Sequence, residues 1–249
     1  MANVLVNDAS LADIADAIRE KNGTEETYKP AEMGAAVRAI ESGGGVDYLE
    51  KRISGEVGLY EYYSENIVKL RNSAFVNDIN LLSINLPNCE SIGDAAFKYC
   101  SKLKKVELPK LKTVSGTNGH FQGSAIEECR FPSLNNTSNY PVFDTSQSLT
   151  KAILDSPKAV ISVGFHTCSS LKTVIIYRQD TIVTLANVNA FTATPIVSGT
   201  GYIYVPKALI ETYKTATNWV TYANQFRALE DYTVDGTTTG ALDESKIAA

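Results

Sequence analysis

The chain has 249 residues, of which 44% are hydrophobic, so it is long enough to bury a substantial core. Its 28 Asp and Glu outnumber 23 Lys and Arg, and the net charge of −5 excludes the basic field that nucleic acids or anionic bilayers attract. The N-terminus, MANVLVNDASLADIAD, lacks the basic start and apolar run of a secretory signal. A cytosolic, folded protein is therefore expected, whose four cysteines form no disulfides.

Residues 1–42 are predicted to form a helical hairpin, because two apolar stripes have helical spacing. The stripes are formed by Leu11, Ile14 and Ile18, and by Met33, Val37 and Ile40. Helices of about 10 residues are marginal alone, so we expect this hairpin to pack on copies of itself or on another protein. It is interpreted as a module for attachment and oligomerisation.

Three glycines at 43–45 form the next segment and are predicted to be a flexible linker. Residues 46–66 follow, and the apolar residues Val57 and Leu59 in this segment alternate with polar or aromatic neighbours. This pattern favours a strand. The segment is therefore predicted to cap the first turn of the structure that follows.

A repeat of about 22 residues occupies the middle of the chain. One phenylalanine marks each unit: Phe75, Phe97, Phe121, Phe143, Phe165 and Phe191. The steps are 22, 24, 22, 22 and 26 residues. Pro87, Pro109 and Pro132 keep the same frame, and each follows the last apolar residue of a short alternation. Residues 67–206 are therefore predicted to form a leucine-rich-repeat solenoid.

One short strand is predicted in each turn. In SIGDAAFKYCSKLKKVELPKL, Val106 and Leu108 alternate with Lys105 and Glu107, which is the pattern of a half-buried strand that Pro109 ends. The other inward positions expected are Ile84, Leu86, Leu103, Ile126, Cys129, Phe131, Leu149, Ala152, Leu154, Leu171, Val174, Ile176, Ile203 and Val205. Because neighbouring turns bury these side chains against each other, both ends of the solenoid need caps.

The segments SIGDAAFKYCSKLKKVELP and VGFHTCSSLKTVII resemble the BspA-type leucine-rich repeat. The resemblance implies an α/β repeat solenoid, although the units around Phe121 and Phe143 lack the Ile-Gly and Cys of the pattern. YIYVPKALIETYKTATNWVTYANQF is similar to that family's closing element, which implies a helical cap at 207–230 in which Tyr213 and Trp219 cover the last turn. Residues 231–249 are polar and are interpreted as a tail or as a contact with a neighbouring subunit.

No catalytic residue, metal site or cofactor is predicted. His120 and His166 have no convincing catalytic partners in the sequence, and no two cysteines have the close spacing of a zinc site. Cys168 falls in the repeat slot that Cys100 fills earlier, so it is interpreted as a small apolar core residue rather than a nucleophile. We therefore expect a protein that is not an enzyme.

The outward side chains of the predicted strands change from polar to apolar along the solenoid. The apolar group in the second half consists of Ile153, Ile175, Tyr177, Tyr202 and Tyr204. Clustered exposed apolar and aromatic side chains usually mark an interface. Two interpretations stay open: these residues bind a ligand, or the C-terminal tail or a symmetry-related copy covers them.

The segment LADIADAIREKNGTEETYKPAEMGAAVRAIESGGG is similar to a helix-loop-helix at the start of many tail-associated proteins of phages that infect Gram-positive bacteria. The resemblances imply a virion component assembled in the bacterial cytoplasm: a phage tail fibre or receptor-binding protein that recognises a host protein or glycan. The N-terminal helices would hold it to other tail proteins, and a homotrimer is expected by analogy with tail fibres. A bacterial surface adhesin of the same family and a capsid or baseplate decoration protein are the alternatives.

Overall fold

The computed structural model describes residues 59–116, 118–134, 142–155, 160–161, 164–177 and 181–247. The hairpin predicted at 1–42, the glycine linker at 43–45 and most of the segment 46–66 lie outside the described residues. The same holds for the six residues predicted for attachment, which are Leu11, Ile14, Ile18, Met33, Val37 and Ile40.

Short parallel strands from successive turns build the described part of the chain. Three of them form a sheet in the order β1 (Tyr60–Tyr63), β3 (Leu81–Asn85) and β5 (Lys105–Glu107). Five form a second sheet in the order β7 (Glu128–Arg130), β8 (Lys151–Leu154), β10 (Thr173–Ile176), β12 (Tyr202–Val205) and β13 (Phe226–Ala228). Two-residue strands pair in the same way: β2 (Lys69–Leu70), β4 (Ser91–Ile92) and β6 (Thr113–Val114), and β9 (Val160–Ile161) with β11 (Thr184–Leu185).

The predicted inward positions are buried, with one exception. Val106 on β5 is only half-buried, which corrects the prediction for that residue. The reason is that β5 is the edge of its sheet: the ladder of described strands stops there and resumes at β7. The interruption falls where the repeat lengthens to 24 residues and where Gly116 and Gly119 take positive φ angles of 81° and 76°.

The repeated phenylalanines form one continuous stack through the core. Successive rings have centroids 5.0 to 6.0 Å apart and planes 5 to 12° apart. At one end of the stack, the ring of Tyr62 on β1 contacts Phe75 edge-on. At the other end, Trp219 and Tyr222 contact Phe191. Offset ring stacks add about 0.5–1.5 kcal/mol per pair to the burial of the rings themselves, so this column is a main source of stability.

Two residues after each stacked phenylalanine the backbone is left-handed. The residues are Asn77, Tyr99, Gly123, Thr145, Thr167 and Ala193, with φ between 56° and 69°. A non-glycine residue pays roughly 1–2 kcal/mol for this conformation. Its recurrence shows that the turn after each phenylalanine is set by packing against the neighbouring turns rather than by local preference.

The segment after β12 covers the last turn. A 3-10 turn at Lys207–Leu209, the helix α1 (Ile210–Thr215) and a 3-10 helix at Trp219–Gln225 follow one another. Trp219 Nε1 donates to the carbonyl of Val183 at 2.7 Å, and the hydroxyl of Tyr213 accepts from the Val183 amide at 2.9 Å. The chain then adds β13, parallel to β12, which the sequence did not predict. None of the described helices has the length and apolar character needed to cross a membrane.

Candidate binding surface

The residues predicted to form a binding face lie on the outward side of the five-stranded sheet. Strand register places Ile153 opposite Ile175, and Ile175 opposite Tyr204. Because neighbouring strands are about 4.8 Å apart, these three side chains form one apolar row. The row has an arginine at each end, since Arg130 pairs with Ile153 and Arg227 pairs with Tyr204.

The chain's own C-terminal segment covers this row. The covering side chains are Leu229, Tyr232, Leu242 and Ile247. Beneath them, the exposed fractions of Ile153, Ile175, Tyr177 and Tyr204 are all 7% or less. The rings of Tyr204 and Tyr232 meet edge to face, with centroids 4.7 Å apart. Of the two interpretations left open by the sequence, the structure shows intramolecular cover, and these four side chains do not form an open surface.

Tyr202 lies at the margin of the covered row. It is half-buried, and the guanidinium of Arg227 lies 4.0 Å from the centroid of its ring. A cation over an aromatic face is attracted by the ring quadrupole, so Arg227 covers Tyr202 much as the C-terminal segment covers its neighbours.

The covering segment is a β-hairpin followed by a short helix. Thr233 and Leu242 face each other in an antiparallel bridge, and the amide of Val234 donates to the carbonyl of Ala241 at 2.9 Å. At the tip, the carboxylate of Asp235 accepts from the amide and hydroxyl of Thr237, and these bonds lower the pKa of Asp235. The helix α2 (Glu244–Ile247) completes the segment. Local hydrogen bonds thus order a stretch that has no apolar periodicity, which is why the sequence pattern suggested a tail.

A groove of about 450 Å³ remains between the sheet and one side of the hairpin. Its lining residues are Glu128, Arg130, Ile153, Asp155, Tyr177, Thr239, Gly240, Ala241 and Leu242. We call this site the Arg130 groove. Two of the predicted binding residues, Ile153 and Tyr177, line it, whereas Ile175, Tyr202 and Tyr204 do not.

The charged groups around the Arg130 groove are paired with each other. Arg130 Nε and Nη2 donate to the two carboxylate oxygens of Asp155 at 2.7 and 3.1 Å, and this bond raises the pKa of Arg130. Lys151 Nζ lies 2.8 Å from Glu128 Oε2. The guanidinium of Arg130 also lies 5.6 Å from the ring centroid of Tyr177. The side chains are therefore held in place, and their charges cancel.

A second polar cluster, outside the groove, was missed in the sequence. His166 Nδ1 lies 3.0 Å from Asp144 Oδ1, Thr167 donates to the same oxygen at 3.0 Å, and Gln122 donates to Oδ2 at 3.0 Å. Gln122, Asp144 and His166 each follow a stacked phenylalanine directly, so the repeat frame could have revealed the alignment. The only hydroxyl of this cluster is bonded to the carboxylate, so the cluster links turns rather than presenting a nucleophile.

His120 is a structural residue. Its Nε2 lies 2.9 Å from the carbonyl of Ser115, and its Nδ1 accepts from the amide of Val142 at 3.4 Å. The neutral tautomer with a proton on Nε2 satisfies both contacts, and burial lowers the pKa of the imidazole.

All four cysteines are free and buried. Burial raises the pKa of Cys100 and of Cys168 to about 12, so both thiols are protonated and unreactive at neutral pH. The description of the Cys168 slot as simply apolar needs correction, because each of these thiols donates to a buried carbonyl one turn away. In the part of the chain that the structure describes, no group of three or more His, Cys, Asp or Glu residues could hold a metal ion.

Parallel strands stacked turn upon turn, with one buried phenylalanine in each, define the leucine-rich-repeat class of solenoids. The family model "BspA type Leucine rich repeat region" matches residues 66–198 in six copies, and the chain belongs to this family. Among solved structures, the chain is similar to the leucine-rich-repeat protein TpLRR of T. pallidum, with 18% identity and a TM-score of 0.34. That match covers 48% of this chain and 67% of the other. No curated protein matches the chain.

Proposed function

We propose that this chain is a non-enzymatic recognition component of a phage or prophage tail, a tail fibre or receptor-binding protein that contacts the host through its repeats. The observation that carries the proposal is the Arg130 groove, a concave site on a rigid scaffold. Ligand sites are typically concave, about 300–1,000 Å³ in volume, and mainly apolar with a few fixed polar groups; the groove has this volume and fixed polar groups, and its lining is more polar than usual.

Binding is a better account of this site than catalysis. A general acid or base must be able to exchange a proton near neutral pH, and Arg130 cannot do so because Asp155 raises its pKa further. The two carboxylates of the groove are engaged in ion pairs, Asp155 with Arg130 and Glu128 with Lys151. Within the described residues, His120 and the thiols of Cys100 and Cys168 are buried and engaged in backbone contacts. What the groove offers is a fixed pattern of donors and acceptors.

The placement on a phage tail is supported by the resemblance of residues 11–45 to the opening segment of tail-associated proteins. In this proposal, residues 1–42 attach the chain to other tail proteins and bring three copies together. Residues 207–230 close the distal end of each solenoid, and the hairpin of residues 233–242 forms one wall of the groove.

The test combines imaging with adsorption. In particles that carry this chain, labelled antibody against the repeats should mark the distal end of the tail, and purified full-length protein should compete with the particles for host cells. Arg130→Ala should weaken that competition at least tenfold. The control is Lys105→Ala, which alters a side chain 69% exposed on the outward face of the other sheet.

A label among capsid or baseplate proteins would contradict the proposal and favour a decoration role. Detection of the chain on bacterial cells that carry no particles would favour a surface adhesin instead. Equal competition by wild type and Arg130→Ala would contradict the assignment of recognition to the groove.

A further inference from the structure

We infer that the Arg130 groove binds an uncharged, hydroxyl-rich ring, which is the chemistry of a neutral saccharide. The inference rests on the proposed recognition function and specifies its ligand class. It is carried by two features of the groove: its compensated charges and the alternation of donors and acceptors along one wall.

The charge arrangement disfavours an ionic ligand. The free donors of Arg130 lie beside the carboxylate of Asp155, which is 12% exposed, so a ligand carboxylate or phosphate that reached them would be repelled by Asp155. A ligand ammonium group at Glu128 would likewise be repelled by Lys151. Like charges placed side by side are unfavourable, so the paired groups select against ligands of either sign.

The hydrogen-bonding pattern matches adjacent hydroxyl groups. A guanidinium has five N–H donors, and the bond to Asp155 engages the Nε and Nη2 of Arg130, so donors remain on a side chain that is 52% exposed. The carboxylates of Asp155 and Glu128 each have acceptor positions beyond those used in their ion pairs. Donors and acceptors therefore lie side by side, and a hydroxyl group, which both donates and accepts, can use one of each.

Ile153 and the ring of Tyr177 also line the groove, but they are only 4% and 7% exposed. They offer little apolar area to a ligand, so the contact surface of the groove is mainly the polar side chains of its walls. A saccharide ring can use such a surface through the hydroxyl groups on its rim, which can reach Arg130 and Glu128.

The opposite wall is fixed by the turn at the tip of the hairpin. A Cβ atom at Gly240 would lie 1.9 Å from Oδ1 of Asp235, so a larger residue would move the Asp235 side chain away from its bonds to Thr237. The same turn holds Thr239, Ala241 and Leu242 along the groove. Gly240 is therefore a positioning residue for this wall.

The test is saturation-transfer NMR and calorimetry on the full-length protein with a defined panel. The neutral probes are glucose, galactose, rhamnose and N-acetylglucosamine, the anionic probes are galacturonate and N-acetylneuraminate, and the cationic probe is glucosamine. We expect at least one neutral probe to bind at millimolar concentration and every charged probe to bind at least tenfold more weakly.

Two variants and one control connect binding to the groove. Arg130→Ala should lose the bound neutral probe at least tenfold, and Lys105→Ala should not change it. Asp155→Asn leaves the Arg130 charge without compensation and should shift the preference towards galacturonate. Circular dichroism of each variant checks the fold, and Glu128→Gln, at a half-exposed side chain, is the second groove variant if Arg130→Ala unfolds.

A wild-type preference for a charged probe, or neutral binding that survives both Arg130→Ala and Glu128→Gln, would overturn the inference. So would binding of no probe at all. If no probe binds but Arg130→Ala still weakens competition for host cells, the ligand class is wrong and the recognition function stands. If neither measurement responds to the groove variants, both proposals fail.

Discussion

The thiol of Cys168 donates a hydrogen bond to the backbone carbonyl of Phe143, one turn earlier in the solenoid, at 3.1 Å. The same relationship joins Cys100 to the carbonyl of Phe75 at 3.0 Å, and Ser146 to that of Phe121 at 2.9 Å. In each case the donor is the third residue after the phenylalanine of its own turn, and it bonds to the phenylalanine carbonyl of the turn before, which also accepts an amide bond within its own turn. These three pairs of turns are thus joined by a side-chain bond in addition to packing.

The Cys168 slot is therefore expected to tolerate serine better than alanine. Cys168→Ala removes this donor while the carbonyl of Phe143 keeps its bond from the Ser146 amide, and it should lower the free energy of unfolding by about 0.5–1.5 kcal/mol. Cys168→Ser keeps a donor of the kind that Ser146 provides and should cost less than half as much. Urea denaturation followed by circular dichroism measures both, and equal losses would show that the bond contributes nothing.

The phenylalanine stack should be sensitive at its centre. Phe121 is fully buried and stacks on Phe97 and Phe143, so Phe121→Ala should lower the free energy of unfolding by about 3–5 kcal/mol. Tyr99→Ala, at a side chain that is 46% exposed, should cost less than about 1 kcal/mol. Thermal and urea unfolding of the two variants test this, and a small loss for Phe121→Ala would contradict a continuous core.

Acid should destabilise the fold partly through His120. Because burial lowers its pKa in the folded state below 6.5, the unfolded chain binds a proton first as the pH falls. The contribution of the neutral imidazole is present above pH 6.5 and is lost as the pH falls through the lowered folded-state pKa. Unfolding free energies measured between pH 7.5 and 5 should fall less steeply in His120→Gln than in wild type. Identical slopes for wild type and His120→Gln would contradict the assignment.

Removal of the C-terminal segment should expose an adhesive surface. A chain that ends at Ala228 uncovers the row formed by Ile153, Ile175 and Tyr204, and exposed apolar patches promote association. Light scattering should show larger particles than for the full-length protein at the same concentration. Val234→Ala, which alters an exposed hairpin residue, should leave the particle size unchanged. An unchanged particle size for the truncated chain would mean that the segment does not protect the sheet.

The repeat frame could be predicted from the sequence because the physical constraint recurs in every turn. Phe97, Leu103 and Pro109 mark three positions of one unit, and each position has an equivalent environment in the neighbouring units. The period therefore shows directly in the residue types. The cover over Ile175 and Tyr204 could not be predicted in this way, because it depends on one segment that occurs once. Leu242 and Ile247 are scattered among Gly, Thr and Asp residues, and only the folded hairpin brings them to the same side.

The Arg130 groove escaped prediction for the same reason. Arg130 and Asp155 are 25 residues apart, and their pairing follows from the strand register of β7 and β8. The hairpin wall, with Gly240 at its turn, comes from the far end of the chain. The alternation in the sequence predicted that Ile153 and Tyr177 face outward, but whether such side chains are exposed depends on what else lies there.

The C-terminal segment also sets the number of units that the second sheet can hold. It contacts side chains from β8, β10 and β12 at once, so its span is matched to three successive strands. Duplicating one unit between β8 and β12 would move part of this row about 4.8 Å along the solenoid and away from Leu242 or Ile247. A unit added between β1 and β5 would leave these contacts untouched. Adding or removing a whole repeat unit therefore preserves the contacts of the C-terminal segment when the unit lies in the first half of the solenoid. The same change in the second half breaks some of these contacts.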